Sequence, residues 1–201
     1  MEEQKMKHEQ MRNFVLTALF IALVLLLGLT PIGMIPLGFI NISLLGVPVV
    51  IGTLLMGLKT GMVLGFCFGG VSALSAFGIF GTPSALAGAL VAASPALALV
   101  MCFAPRLLIP VVTALVYKLA SRGKERNIKA VPAAAACGSL TNTILYLGLM
   151  LLFYVLMGIN SEKVLALIGG TGLIAGTLEA VANALVSSAA LAALWKVSRK
   201  G

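Results

Sequence analysis

The chain has 201 residues, 60% of them hydrophobic and only 10% charged, with a formal net charge of +8 and a mean hydropathy of +1.11. Water-soluble domains carry about 45–50% apolar and roughly 25% charged residues, so this composition excludes both a soluble fold and a disordered chain. All six acids are glutamates and aspartate is absent, which removes aspartate-dependent metal, ATP and glycosidase chemistries.

In chain order, residues 1–13 form a polar, charged tail, read as cytoplasmic, and an apolar run over residues 14–30 reads as a first, uncleaved membrane helix. Within it, Ala18 and Ala22 form a small-residue strip on one face. The stretch from Pro31 to Pro48 is rich in proline and glycine yet apolar, so it cannot be a regular helix. Irregular backbone at membrane depth has to pack on protein or line a cavity, which makes this stretch a candidate lid. Further spans are expected over residues 44–58, 61–77, 105–121, 131–157 and 170–195. Residues 78–104 are hydrophobic but broken by Gly81, Pro83, Gly88 and Pro95, and read as a small extra helix with loops or a re-entrant piece. The third span carries a Gly61, Gly65, Gly69 ridge, expected to pack inside the bundle. The fold class is therefore all-α integral membrane, with six transmembrane helices in one domain over residues 14–198.

Positive charge supports that count. With an inside N-terminus and six spans, every one of the fourteen basic residues except Arg106 and Lys163 falls on the inner side. A seventh span between Phe77 and Pro105 would place the Lys118–Lys129 cluster outside. Trp195 beside Lys196 is expected to anchor at the inner interface.

Ionisable groups within spans are rare and tend to mark function. Two stand out: Arg106, placed at the outer start of the fourth span, and Glu179 within the sixth, one turn from Asn183. In the fifth span Asn142 and Tyr146 are also one turn apart, and Asn41 adds an amide in the proline-rich stretch. Together they suggest an outward pocket in which Arg106 pairs an anion, since the guanidinium fork donates two parallel hydrogen bonds to a carboxylate. The alternative is structural, with Arg106 snorkelling to headgroups and Asn142 bonded to Glu179. Catalytic equipment is lacking. The only histidine, His8, lies in the tail; Cys67, Cys102 and Cys137 have no metal-ligand spacing; and neither a phosphate loop nor a GxSxG or HExxH motif occurs. No cofactor or metal is called for, and a transporter of this kind takes its energy from a partner. A small membrane enzyme acting on lipid or prenyl substrates, or a structural scaffold, stands as the alternative class.

The segments Pro36-Leu-Gly-Phe-Ile-Asn-Ile-Ser43, Val47-Pro-Val-Val-Ile-Gly52, Gly57-Leu-Lys-Thr-Gly61, Ala104-Pro-Arg-Leu-Leu108 and Gly138-Ser-Leu-Thr-Asn-Thr143, with Glu179-Ala180, occur in an order and spacing that carry a resemblance. The chain resembles the substrate-binding S components of energy-coupling factor (ECF) transporters, which take up vitamins across bacterial cell membranes. The resemblance implies six helices with both termini inside, and a complex with a transmembrane coupling subunit and two cytoplasmic ATPases. It maps partner docking onto Ala18 and Ala22 and a substrate gate onto the loop bearing Pro36, Gly38 and Phe39. Among such components it is most similar to the pantothenate type, with riboflavin or folate types as alternatives. Pantothenate's carboxylate, amide and hydroxyls suit Arg106 with Asn41, Asn142, Tyr146, Glu179 and Asn183. Two positions depart from that pattern: Gly46 stands where a histidine is expected, and Gly176-Thr-Leu precedes Glu179 where proline is common.

Overall fold

The computed structural model describes residues 2–30, 33–36, 41–80, 84–124, 126–159 and 162–197. Its elements are α1 (Glu2–Leu29), β1 (Met34–Pro36), β2 (Asn41–Ser43), α2 (Gly46–Met56), α3 (Leu58–Ala76), α4 (Ala85–Ala93), α5 (Pro95–Ser121), α6 (Val131–Leu156), α7 (Glu162–Leu167) and α8 (Leu173–Val197). A 3₁₀ turn, Ile128–Ala130, leads into α6, and a π turn, Ile168–Gly172, leads into α8. The expected gate residues Gly38 and Phe39, and Gly81 and Pro83, lie outside the described residues.

Among the described residues, five helical stretches are long and apolar enough to cross a bilayer: Gln10–Leu29, Leu58–Ala76, Pro95–Ser121, Ile128–Leu156 and Ile174–Lys196. The span expected over residues 44–58 is an 11-residue helix, Gly46–Met56. At ~1.5 Å per residue the 11 residues of α2 rise about 16 Å, roughly half of a ~30 Å hydrocarbon core. Gly57, at φ +95°, ends α2 and turns the chain directly into α3, a backbone geometry that favours glycine. On the other side of α2, part of the proline-rich stretch is an antiparallel ladder pairing Met34 with Ser43, Ile35 with Ile42 and Pro36 with Asn41. That ladder supplies backbone hydrogen bonds that a helix would otherwise provide.

The fourth span also starts earlier than expected. Pro95 opens α5 after Ser94, which has extended backbone angles, and the helix runs through both Pro105 and Pro110. Arg106 is therefore the twelfth of 27 residues, close to mid-helix rather than at an outer end. The preceding broken region resolves into α4, capped by the Ser84 hydroxyl accepting from the Ala87 N–H at 3.3 Å.

The glycine ridge packs inward, against α5. A Cβ at Gly65 would lie 2.6 Å from the Arg106 carbonyl oxygen, and one at Gly69 would lie 2.6 Å from the Phe103 ring. Small residues thus bring the α3 and α5 backbones close at the level of Arg106.

The buried apolar residues form two clusters. One gathers Val24, Leu45, Val49, Leu64, Ile109, Val131, Leu191 and Trp195; the other gathers Ala76, Leu90, Met101, Met150, Tyr154 and Val164. The first lies toward the end where the chain reverses at basic sequence. There Thr17 of α1 touches Met56, and the Tyr117 hydroxyl accepts from the Asn127 N–H at 2.8 Å. Trp195 belongs to this core: it is 7% exposed, with its ring 6.5 Å from that of Tyr117. The second cluster is pinned by Tyr154, whose hydroxyl donates to the Leu86 carbonyl of α4 at 2.7 Å.

Candidate functional site

A polar cavity is lined by residues of α3, α5, α6 and α8, with Ser43 of β2 and Ser84 at the start of α4. Arg106, Asn142, Tyr146 and Glu179 all line it, so side chains from three separate helices face one space of about 70 Å³. Asn142 and Tyr146 come together because residues four apart share a face of α6.

Arg106 is 7% exposed and does not snorkel to any surface. Its placement follows from the backbone of α5. Pro105 has no N–H to give to the Met101 carbonyl four residues earlier, and the Arg106 Nη1 donates to that same carbonyl at 3.1 Å. The proline frees an acceptor, and the next side chain takes it. The guanidinium carbon then lies 4.6 Å from the centre of the Tyr146 ring and 5.3 Å from that of Phe68, distances at which aromatic faces stabilise a cation. Its Nε has no partner among the described residues, and neither does the Oδ1 of Asn142.

Glu179, also 7% exposed, sits against the Asn142 side chain and the Ser43 backbone, close enough to Arg106 to feel its charge. Among the described residues no direct ion pair joins Glu179 to Arg106. A donor-rich cation and an acid therefore share one low-dielectric space with an amide between them. Such a set orients a ligand that carries both a negative group and hydrogen-bond donors.

Asn183 is placed differently from the expectation. It is not in the cavity wall: its Nδ2 donates to the Ser139 hydroxyl at 3.3 Å and ties α8 to α6. A Cβ on Gly46 would lie 2.6 Å from that Nδ2, so a histidine at position 46 would have to displace the Asn183 amide. Asn41 is in the ladder opposite Pro36, and its side chain lies outside the described residues. Ala18 and Ala22 are exposed on α1, of whose membrane stretch only 11% is buried.

The sequence reading missed Ser43, Phe68, Ser72, Ser75 and Ser84, which complete the wall. Single serines within apolar helices give no signal, because they can equally bond their own helix backbone. Ser72 and Ser75 did carry one available clue, lying past the glycine ridge where α3 turns from bulk to small and hydroxyl residues.

No curated protein matches the chain. A family model described as the ECF transporter, substrate-specific component, matches residues 12–191. That match takes in three of the five long helices whole and most of the first and last, with the proline-rich stretch and every cavity residue, and the chain belongs to the substrate-specific components of ECF transporters.

Proposed function

We propose that this membrane subunit captures a small carboxylate-bearing vitamin, pantothenate in the first instance, and hands it to a complex energised by partner ATPases. The observation that carries this reading is the buried Arg106 guanidinium, held on two aromatic faces with its Nε unpartnered in a cavity lined by an amide, an acid and serine hydroxyls. A cation in that setting has far more to gain from a carboxylate than one at the surface. Resemblance in the Pro36–Ser43 and Val47–Gly52 segments favours pantothenate over riboflavin or folate.

The same reading gives six crossings with both termini cytoplasmic, α2 and the adjoining ladder together completing the second. An odd number of crossings would put basic N- and C-terminal segments on opposite sides, against the positive-inside tendency. Ala18 and Ala22 on the sparsely buried α1 offer a smooth surface to the coupling subunit.

The test is equilibrium binding of radiolabelled pantothenate to the purified subunit in lipid nanodiscs, with riboflavin, folate, thiamine and biotin as competitors. Saturable one-to-one binding, competed by unlabelled pantothenate and not by riboflavin or thiamine, is the expected result. Failure of every one of these vitamins to bind at micromolar concentration overturns the reading.

A further inference from the structure

Against the polar cavity lies a second, almost wholly apolar space between α6 and α8, open on the outer face of the bundle and about 300 Å³ in volume. The two spaces share Thr143, Leu147, Gly172 and Gly176 as lining.

The shared wall is thin. Gly172 and Gly176 contribute no side chain, and a Cβ at Gly176 would lie 2.7 Å from the Thr143 methyl, so α6 and α8 already touch there backbone to side chain. From the α6 side Thr143 and Leu147 project between the two spaces and line both. On the α8 side the wall is set by the π turn Ile168–Gly172, whose wider backbone turn delivers Gly172 to both spaces. Beyond the wall, Gly148 faces open space: a Cβ placed there meets nothing within 4 Å.

We infer that the α6–α8 groove is a subsite for the apolar part of the substrate, so that the preferred ligand is an acyl-type carboxylate whose charge sits at Arg106 and whose hydrocarbon portion passes Leu147 into the groove. This rests on the carboxylate reading of Arg106 and adds to it a chain-length or branching preference. A polar cavity alone selects for charge and hydrogen bonds. An adjoining apolar slot selects for hydrocarbon bulk on the same molecule, in proportion to the area removed from water. Pantothenate is itself an N-acylated β-alanine whose acyl half bears two geminal methyls, which gives the simplest probe series its form.

The experiment measures Kd for N-acetyl-, N-butyryl-, N-hexanoyl- and N-octanoyl-β-alanine on the subunit in nanodiscs, with partitioning into empty nanodiscs subtracted. In the unmodified protein affinity should rise by about two- to fourfold for each added methylene over the first several, as expected for transferring a methylene from water. Leucine at either wall, as Gly148→Leu on α6 or Thr177→Leu on α8, should collapse the octanoyl-to-acetyl affinity ratio toward one. Arg106→Ala should weaken every member by a similar factor. A series that is flat in the unmodified protein, as when bilayer acyl chains hold the groove, overturns the subsite while an Arg106 effect leaves the carboxylate reading standing. A rising series indifferent to Arg106→Ala overturns the placement of both groups on one ligand. A ratio that survives both leucine variants in folded protein places the chain elsewhere and also overturns the subsite.

Discussion

Arg106 is held by three things at once: a carbonyl that Pro105 leaves free, the Tyr146 ring and the Phe68 ring. The arginine is thereby oriented before any ligand arrives, so little rotamer freedom remains to be lost on binding, and long basic side chains otherwise forfeit up to ~2 kcal/mol when fixed. Arg106→Ala is expected to weaken a carboxylate ligand by about 2–5 kcal/mol, the range for truncating one partner of a buried charge pair. Isothermal titration of pantothenate would show it, and unchanged affinity would remove Arg106 from the site. Arg106→Lys should fall between the two, because an ammonium keeps the charge but loses the planar fork. The neighbouring proline makes a sharper case. Pro105→Ala restores an N–H to the Met101 carbonyl, which improves the helix and competes with the Arg106 Nη1. Thermal unfolding should then move upward while carboxylate affinity falls severalfold; equal affinity in both proteins would show that the freed carbonyl has no orienting role.

Among the elements, the α3–α5 contact does most to fix the site's depth. The Arg106 carbonyl is itself freed from helical bonding, since Pro110 four residues on lacks an N–H, and Gly65 packs on it. Gly65→Ala puts a methyl into a 2.6 Å gap against backbone that cannot rotate away. Overpacking of this kind costs ~1–3 kcal/mol, so the variant should melt at lower temperature and, because α5 must shift, bind more weakly. A variant that melts lower yet binds unchanged would separate helix spacing from site geometry. Elements were also where sequence reading was most and least successful. The long helices α1, α3, α6 and α8 were legible as uninterrupted apolar runs. The start of α5 was not, because Pro105 reads as a first-turn proline when the apolar run before it is broken by Pro95. The second span was expected over residues 44–58, and its helix is two residues shorter at each end, Gly46–Met56, because hydropathy does not mark where a helix stops. Trp195 had the composition of an interfacial anchor, and only packing against Tyr117 and Leu191 draws it into the core.

At the scale of the molecule, α1 is the least buried of the long helices and touches α2 and α3 along one side. Its outward face, with Ala18 and Ala22, lies away from the polar cavity, so in the proposed function docking and capture are separable properties. Replacing both alanines by leucine should leave pantothenate binding by the isolated subunit intact and abolish uptake in cells that carry the coupling module. Loss of binding together with uptake would contradict that separation. The candidate site was legible in the sequence as a set of scarce polar residues in spans: Arg106, Asn142, Tyr146 and Glu179 stand out because nearly everything around them is apolar. Asn183 shares their scarcity yet bonds to Ser139 outside the cavity, since hydropathy reveals depth in the bilayer and not which side of a helix meets a neighbour.

The cavity lies between two apolar clusters that do not merge into one core, and the groups spanning that gap include an unpartnered guanidinium nitrogen and an unpartnered amide oxygen. Each buried orphan of this kind withholds ~1–3 kcal/mol from the folded state. In the proposed site a bound ligand is in this sense mortar between two courses of the bundle. A ligand that bonds both groups welds the halves, and at a hundred times its Kd adds about 2.7 kcal/mol to their cohesion. The empty subunit is the softer object, most easily deformed across its middle, and amide hydrogen exchange in α5 and α6 on either side of the cavity should slow when it is filled.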